Sequence, residues 1–295
     1  MNLRLNRRWR DNIAGYSFIA INLAWVLIFT FYPVCRSFIL SFQEWNPIEG
    51  SKFIGLDNYK EILQDWVFGI AFKNALYYAL LTIPAGLVLA IVLAIALHRI
   101  KGRTLFRTLY FSPSICSSVA IAIIWTWLYN SQYGLINDLL GHVGIKGPGW
   151  LIDPRWAMPA VSITVVWAGC GYWMVMFLAG LQDIPEVYYD AAKVDGATSL
   201  QVFRFITLPM LTPTIFFYLT MAFITVWYQF DLVYVMTGGG PVNSTIMPAL
   251  VIYEAAFRDF RMGYAAAVAW VMFAITFIIT FLHFKISGRW TFYGR

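Results

Sequence analysis

The chain has 295 residues, of which 60% are hydrophobic, 18% aromatic and only 12% charged. Soluble domains carry about 25% charged residues, so this composition excludes an ordinary soluble globular domain and favours lipid as the main solvent. The net charge of +6 is explained by basic residues near the ends of the apolar segments, and it gives no indication of nucleic-acid binding.

Six apolar stretches are long enough to cross a bilayer as helices, for which about 20 residues are needed. The sequence therefore predicts an all-α membrane protein with six transmembrane helices in one domain, residues 13–284, between a short segment 1–12 and a tail 285–295. In chain order the stretches are Ile13–Cys35, Asn74–Leu97, Thr108–Tyr129, Ala157–Leu181, Leu211–Met236 and Gly263–Phe284.

Arginine and lysine are concentrated in three short segments next to these spans. Short loops rich in these residues remain on the cytoplasmic side of a membrane, so both termini are expected in the cytoplasm. The residues are Arg4, Arg7, Arg8 and Arg10 at the start, Arg99, Lys101, Arg103 and Arg107 after the second span, and Lys285, Arg289 and Arg295 in the tail.

The predicted inner loop 182–210 departs from this trend because it is acidic. It holds only Lys193 and Arg204 as bases, against the four acids Asp183, Glu186, Asp190 and Asp195. An acidic cytoplasmic loop opposes the positive-inside tendency. We therefore expect that a contact, rather than membrane topology, shaped this segment.

The loop contains signals for two short helices. Asp183 is predicted to cap the first, with Pro185 in its first turn and Glu186 completing a capping box. Gly196 is a residue type that ends helices in a left-handed conformation. A second capping box, Thr198 to Gln201, starts the next helix, which should end near Leu208 because Pro209 disfavours helix before it.

The function of this helix pair is open from the residues alone. Ile184, Val187, Tyr188 and Ala191 share one face, and Ala191 and Ala192 are small enough for another backbone to approach. Such a helix suits a groove on another protein, but it is equally suited to packing on its own membrane domain. A DNA-binding helix-turn-helix is disfavoured because phosphate contacts need a basic segment.

The spacing of the loop resembles the EAA motif of inner-membrane permeases in binding-protein-dependent ABC importers. The matching residues are Asp190-Ala191-Ala192, then three residues, Gly196, then nine residues and Ile206-Thr207-Leu208-Pro209. Asp190 replaces the glutamate that the family usually has, which keeps the charge but shortens the side chain. Three further segments resemble the sugar and glycerol-phosphate permeases of this superfamily, namely 55–59 (Gly-Leu-Asp-Asn-Tyr), 133–137 (Tyr-Gly-Leu-Ile-Asn) and 237–241 (Thr-Gly-Gly-Gly-Pro).

This resemblance implies a type I importer permease fold in a bacterial or archaeal cytoplasmic membrane, with a cytoplasmic coupling helix that contacts an ATPase. The implied partners are a second homologous permease, two ATP-binding cassette subunits, an extracytoplasmic solute-binding protein and membrane lipid. The chain has no Gly-rich phosphate loop, so ATP and Mg²⁺ belong to the ATPase and no enzyme activity or cofactor is expected here. The implied coupling residues are Glu186, Asp190, Ala191, Ala192, Asp195, Gly196, Leu208 and Pro209.

The predicted spans contain almost no charged residue, which argues against an ion-coupled secondary transporter because such a carrier needs an intramembrane relay. Aromatic and neutral polar groups suit a carbohydrate, most simply an oligosaccharide. The candidate path residues are Trp167, Gly169, Tyr172 and Trp173 in the fourth span and Ala222, Thr225, Val226, Gln229 and Asp231 in the fifth. Helix packing or interfacial anchoring are the alternatives for the aromatic residues.

Two further expectations concern a loop on the outer side of the membrane and the absence of a metal site. The loop Gly238, Gly239, Gly240 and Pro241 is either a flexible linker or, by the resemblance, a surface near the docked binding protein. The three histidines, His98, His142 and His283, have no metal-ligand spacing, so no metal site is expected. A glycerol-phosphate or polyol solute is the alternative substrate, although a phosphate would favour basic residues in the path.

Overall fold

The computed structural model describes residues 7–46, 50–98, 100, 102–288 and 291. Arg4, Arg99, Lys101, Arg289 and Arg295, which contributed to the predicted orientation, lie outside the described residues. In the described part, four helices are long and apolar enough to cross a membrane, and two bent helix pairs raise this number to six if each pair is one span. The six predicted apolar stretches therefore correspond to six helical segments.

The chain forms two compact units. The first comprises residues 1–64 and 252–270, and the second comprises residues 65–251 and 271–295. The first unit begins with α1 (Arg7–Val26), a π-helical turn (Leu27–Phe31) and α2 (Tyr32–Leu40), followed by β1 (Gln43–Asn46), β2 (Gly50–Phe53) and α3 (Asp57–Gln64).

The second unit holds most of the membrane-length helices. Its first elements are α4 (Trp66–His98), α5 (Arg103–Ile115), α6 (Ser118–Leu128), α7 (Leu135–His142) and α8 (Pro154–Gln182). The middle of the chain continues with α9 (Glu186–Val194), α10 (Ser199–Val202), a π-helical turn (Phe203–Thr207), α11 (Leu208–Met210), α12 (Thr212–Val226) and α13 (Asp231–Met236). The last elements of the chain are α14 (Pro248–Tyr253), a π-helical turn (Glu254–Arg258) and α15 (Met262–Ser287), of which residues 252–270 belong to the first unit.

The predicted span 108–129 is not one continuous helix, because it is divided between α5 and α6, which meet at an angle of 98°. Pro113 lies in the last turn of α5, where it cannot donate a backbone hydrogen bond. Cys116 is extended, with φ −72° and ψ 151°, and Ser117 precedes the new helix with ψ 133°. The corner lies in the segment Ser112-Pro113-Ser114-Ile115-Cys116-Ser117-Ser118, a polar, proline-containing break inside the predicted apolar stretch.

The predicted fifth span, residues 211–236, is also not continuous. A bend of 61° at Leu211 separates the preceding helical segment from α12. The α12 helix ends at Val226, four residues follow outside regular helix, and α13 starts at Asp231. Asp231 therefore lies in the first turn of a separate short helix rather than inside a span.

The all-α prediction misses one short antiparallel hairpin formed by β1 and β2, in which Gln43 pairs with Phe53. The buried Asn58 holds the start of this hairpin, because its Nδ2 donates to the carbonyl oxygens of Ser41 at 2.9 Å and Gln43 at 3.0 Å. Tyr59 adds a 2.7 Å hydrogen bond to the Ser41 hydroxyl. The Asn-Tyr part of the 55–59 motif thus has a structural role.

The same unit contains an ion pair between Arg261 and Glu61, whose atoms are 2.6 Å apart. The hydrogen bond to Glu61 raises the pKa of the Arg261 guanidinium above its ordinary value. The guanidinium also lies over the ring of Tyr264, 4.8 Å from the centroid. These contacts link α3 to the residues at the start of α15.

The core of the second unit is formed by α4, α8 and α12. Its largest fully buried side chains are Phe177, Met158 and Met174, all from α8. Small residues permit the closest approaches: a Cβ at Gly171 would overlap the carbonyl oxygen of Tyr110, and one at Gly86 would lie 2.5 Å from the Tyr218 hydroxyl. Such close packing through glycine is typical of membrane helix interfaces.

Candidate functional site

The helix pair of the 182–210 loop is present, but its start differs from the prediction. The α8 helix continues to Gln182, and Asp183 caps its C-terminal end by donating its backbone N–H to Ala179. Pro185 precedes α9 and provides no side-chain cap. Asp183 is therefore not the N-cap of α9, because the long membrane helix α8 extends through the position at which the local pattern predicts a new start.

The turn between the two helices forms as predicted. Gly196 has φ +72°, a conformation that glycine adopts without a steric penalty. The N–H of Ala197 donates to Ala192 at 2.9 Å, and the N–H of Gly196 donates to Lys193 at 3.1 Å, so two carbonyls at the end of α9 are satisfied. The Thr198 to Gln201 capping box at the start of α10 is confirmed.

The second helical segment ends at Met210, two residues after the predicted end near Leu208. After α10 the chain passes through the π-helical turn into α11, and Pro209 lies in the first turn of α11, where a missing N–H is tolerated. The helical segment ends at Met210, one residue before the bend. The π-helical turn accommodates the proline, which the sequence pattern does not indicate.

The α9 helix has two sides with different exposure. Ala192 is only 7% exposed and packs inward, whereas Val187 is 71% and Tyr188 47% exposed. Ala191 and Asp190 also lie on the surface, and Asp190 pairs with Lys193 at 2.8 Å. An apolar face with a small residue at its centre is therefore uncovered in the isolated chain, while Ile184 is buried before the helix starts.

The other predicted coupling residues lie around this turn. Glu186 begins α9 and is exposed, as are Asp195 and Gly196, whereas Leu208 and Pro209 are partly buried. A hydrogen bond of 3.3 Å joins the Tyr189 hydroxyl to the Thr207 hydroxyl. This contact links α9 to the segment that leads into α11.

Six of the nine predicted path residues line one cavity of about 130 Å³ between α4, α8 and α12. They are Gly169, Trp173, Ala222, Thr225, Val226 and Gln229. None of the described residues that line this cavity is charged or a histidine. The cavity is therefore an aromatic and neutral polar environment, which is suited to hydroxyl groups and apolar sugar faces.

Residues of α4 also line this cavity, which was not predicted from the sequence. Tyr78 donates its hydroxyl to Oε1 of Gln229 at 3.2 Å, and Tyr218 donates to the carbonyl oxygen of Ile83 at 2.9 Å. Both tyrosines line the cavity. A signal was available, because Tyr78, Thr82 and Gly86 recur every four residues and form a polar and small stripe on an otherwise aliphatic helix.

Trp167, Tyr172 and Asp231 do not line this cavity. Trp167 packs edge-on against Trp125, with 5.3 Å between ring centroids, and Tyr172 packs against Trp173 but is 45% exposed. Asp231 accepts a 2.8 Å hydrogen bond from the Ser118 hydroxyl. Asp231 therefore joins the start of α6 to the start of α13.

The 237–241 loop is a fixed turn rather than a flexible linker. Gly238 and Gly239 have φ of +59° and +87°, and the Gly240–Pro241 peptide bond is cis. The Thr245 hydroxyl donates to the carbonyl oxygen of Gly240 at 2.7 Å. From α4, the Asn74 amide donates to the carbonyl oxygens of Asn243 and Ile246 at 2.8 and 2.9 Å.

The structure is that of a polytopic membrane protein with a structured 182–210 loop and a neutral cavity between α4, α8 and α12. Residues 83–291 match the family described as binding-protein-dependent transport system inner membrane component. The chain belongs to this family and is a multi-pass permease subunit of an ABC importer in the inner membrane. Across the described residues, no group of three or more potential metal ligands is present.

Curated relatives match almost the whole chain. The probable ABC transporter permease protein YesP of Bacillus subtilis is 40% identical, with 96% of this chain and 93% of the relative covered. The lactose transport system permease protein LacF of Rhizobium radiobacter is 36% identical, with 94% and 95% covered. The trehalose/maltose transport system permease protein MalF of Thermococcus litoralis is 31% identical, with 95% and 96% covered.

Among solved structures, the fold is similar to a chain of a bacterial ABC transporter involved in the import of the acidic polysaccharide alginate. The TM-score is 0.85 at 24% sequence identity, with 96% of this chain and 99% of that chain covered. At this identity the similarity establishes the fold alone. It confirms the predicted importer permease fold.

Proposed function

We propose that this chain forms one half of the membrane path of an importer for a neutral carbohydrate, and that a second, homologous permease forms the other half. The observation that supports this is the uncharged cavity in which Tyr78, Trp173, Tyr218 and Gln229 meet. The names of the relatives, which include lactose and trehalose/maltose permeases, support the same substrate class.

The size of the cavity supports the second permease. Pockets that enclose a small ligand have volumes of roughly 300–1,000 Å³, whereas this cavity measures about 130 Å³. One chain alone thus provides too little space for a disaccharide. A facing permease with its own aromatic and polar residues would complete the enclosure.

A glycerol-phosphate solute fits the cavity less well than a neutral sugar. A phosphate group in a site of low dielectric constant needs cationic partners, and the described lining residues include none. A polyol remains compatible with the neutral lining. An ion-coupled carrier is disfavoured because the candidate acid, Asp231, is exposed and bonded to Ser118.

The exposed face of α9 is proposed as the contact with the ATP-binding cassette subunit. Val187, Tyr188 and Ala191 present an apolar surface that a groove on the ATPase would cover. ATP and Mg²⁺ are bound by that subunit, and no cofactor is needed on this chain. Two ATPase subunits, one for each permease, would bind on the cytoplasmic side, where both termini of this chain also lie.

The position of α9 explains how movement of the ATPase reaches the membrane path. Two residues separate Asp183, which caps the end of α8, from the first residue of α9. A hydrogen bond also joins Tyr189 of α9 to Thr207, the residue before α11. Closure of the ATPase pair would displace α9 and, through these connections, tilt α8 and α12. Because both helices line the cavity, its access would alternate between the two sides.

On the other side of the membrane, the turn at residues 237–241 is proposed as part of the surface that receives the loaded binding protein. Its backbone accepts a hydrogen bond from Thr245 at Gly240, and Asn74 holds the segment that follows through the carbonyl oxygens of Asn243 and Ile246. A rigid turn of this kind offers a preformed surface, which reduces the entropy cost of binding. The solute would then pass from the binding protein to the path between the two permeases.

The experiment is purification of the tagged chain from its host, followed by reconstitution in liposomes. We expect an ATPase and a second permease to copurify, and uptake of neutral sugars to need ATP and the binding protein. Recovery of this chain alone, with uptake driven by an ion gradient, would disprove the proposal.

Variants at Ala191 test the contact surface within the same experiment. Ala191→Trp is expected to abolish ATPase copurification because the indole would fill the space needed by the groove, whereas Ala191→Ser keeps a small side chain and should retain it. Equal recovery of the ATPase with both variants would show that this face of α9 is not the contact.

A further inference from the structure

Two neighbouring cavities lie where α4 ends, α5 begins and α8 ends. Their volumes are about 390 and 600 Å³, and both are lined by His98, Leu181 and Tyr189. His98 and Leu181 mark the ends of the long apolar helices α4 and α8. The cavities therefore lie near the level at which the hydrocarbon of a bilayer gives way to the lipid headgroups.

The two cavities differ in chemical character. The smaller one is lined by Ile95, Val202 and Phe203 in addition to Leu181, so much of its wall is apolar. The larger one is lined by Arg103, Gln182 and Glu186, so it offers a cation and a neutral hydrogen-bonding group beside one acid. An apolar space next to a space that contains the Arg103 guanidinium is matched by a molecule with an acyl chain and an anionic headgroup.

A second arginine lies on the same face of α5. The packing of α5 on α8 is antiparallel, since Ser114 bonds to the carbonyl of Ala168 at 2.9 Å and Tyr110 lies against Gly171. Arg107 lies one helical turn before Tyr110 and Arg103 lies two turns before it. In the same antiparallel register, both arginines therefore lie along the last part of α8.

The Arg107 guanidinium lacks the partners that a charge in this environment needs. Its Nε and Nη2 atoms are buried and have no hydrogen-bond acceptor among the described residues. Buried N–H groups without an acceptor are costly, and the planar N–H groups of a guanidinium match phosphate oxygens. An anionic group bound between Arg103 and Arg107 would offset that cost.

We propose that this pair of cavities binds an anionic phospholipid. Its phosphate is held by Arg103, which lines the larger cavity, with Arg107 one helical turn beyond that lining, and part of an acyl chain enters the space lined by Ile95, Val202 and Phe203. Basic pockets between membrane helices on the cytoplasmic side are a known physical basis for anionic headgroup recognition. Glu186 is the one acid among the described lining residues, and it disfavours a second negative charge on the headgroup.

The lipid would also contact the loop that we propose to bind the ATPase, since Tyr189 and Lys193 of α9 line the smaller cavity. This part of the inference rests on the proposed function. A bound lipid would brace α9 against the end of α8, so anionic lipid is expected to alter the rate of ATP-driven uptake. Lipid binding itself requires no assumption about the solute.

The test uses the complete transporter in nanodiscs of phosphatidylcholine, with and without phosphatidylglycerol, and native mass spectrometry of the lipid that stays bound. Wild-type transporter is expected to retain phosphatidylglycerol selectively. The double variant R103Q/R107Q should retain it about thirtyfold less well, since each basic residue near an anionic headgroup contributes about a fivefold effect. Arg103→Lys with Arg107→Lys keeps both charges and should restore most of the retention.

Lys285→Gln provides the matched control, because Lys285 is an exposed basic residue in the last turn of α15. Retention that falls equally in this control, or that is unchanged in R103Q/R107Q, would overturn the proposal. Addition of inorganic phosphate separates a lipid from a soluble anion: full displacement of phosphatidylglycerol by phosphate would assign the site to soluble phosphate instead. If wild-type transporter retains phosphatidylglycerol but takes up no sugar, only the proposed function is contradicted.

Discussion

The Tyr78 hydroxyl donates to Oε1 of Gln229 at 3.2 Å, across 151 residues of sequence. Tyr78 is almost fully buried, and Gln229 lies where the helical path is interrupted between α12 and α13. The bond therefore joins α4 to an interruption that regular helix geometry does not stabilise. Both side chains also line the neutral cavity, so one contact serves the fold and the proposed solute path together.

Replacement of Gln229 by leucine is expected to weaken uptake. The Tyr78 hydroxyl loses its acceptor, and the path loses an amide that can bind a sugar hydroxyl. A hydrogen bond of this kind contributes about 1.5 kcal/mol, so the concentration for half-maximal uptake should rise about tenfold. Sugar uptake by reconstituted transporter, measured over a range of concentrations, checks this value.

Two tyrosine variants complete that measurement. Tyr78→Phe should have a similar effect to Gln229→Leu, and it should add little in the Gln229→Leu background because both remove the same bond. Tyr77→Phe is the control, since Tyr77 is exposed and outside the cavity. Strictly additive effects of Tyr78→Phe and Gln229→Leu would show that the bond is not important for transport.

Two glycines of α8 provide a matched pair for helix packing. Gly171→Ala places a methyl group against the carbonyl oxygen of Tyr110, whereas in Gly169→Ala the nearest atom, Cδ1 of Trp173, is 3.9 Å away. Overpacking of this kind costs about 1–3 kcal/mol. We expect a lower melting temperature in detergent for Gly171→Ala and an unchanged one for Gly169→Ala. Equal melting temperatures for the two variants would show that α5 moves away from the new methyl group without a loss of stability.

Local signals predicted the elements whose causes are local. Gly196 and the Thr198 to Gln201 capping box act within four residues, and both form as predicted. Asp183 was assigned wrongly because the extent of α8 is set by its packing in the core. The Tyr78 contact was missed because hydropathy treats α4 as uniformly apolar and does not indicate which side faces Gln229.

The corner between α5 and α6 shows a different limit of sequence analysis. Taken as a whole, residues 108–129 are apolar enough to predict one span, although four serines and Pro113 lie next to Cys116 at the bend of 98°. The backbone turns there because Cys116 and Ser117 are extended. The direction of α6 is then set by partners distant in sequence, among which is Asp231, bonded to Ser118.

The turn at Gly196 allows a graded test of the helix pair. With φ +72° and no atom within 4 Å of where a Cβ would lie, the site has space for a side chain but imposes a left-handed backbone. Valine there costs more than about 1–2 kcal/mol, whereas asparagine tolerates this region. Gly196→Val should abolish ATP-driven uptake, and Gly196→Asn should retain most of it.

Membrane insertion and ATPase copurification are the accompanying measurements for these two variants. Gly196→Val is expected to reach the membrane at a normal level, because the spans are unchanged, but to recover less ATPase. Normal uptake with Gly196→Val would show that the angle between α9 and α10 does not matter for coupling.

The hairpin of the first unit depends on Asn58, whose side chain satisfies the carbonyl oxygens of Ser41 and Gln43. Asn58→Leu leaves both acceptors without this donor in a buried position, at a cost of about 1–3 kcal/mol for each. Backbone amides of residues 50–53 should then exchange hydrogen for deuterium faster. Lys60→Ala is the control, because Lys60 forms an exposed ion pair with Asp57 at 2.8 Å and such pairs contribute about 0–1 kcal/mol. If exchange in Asn58→Leu matches that in Lys60→Ala, the hairpin is held by other contacts and the 55–59 motif has another cause.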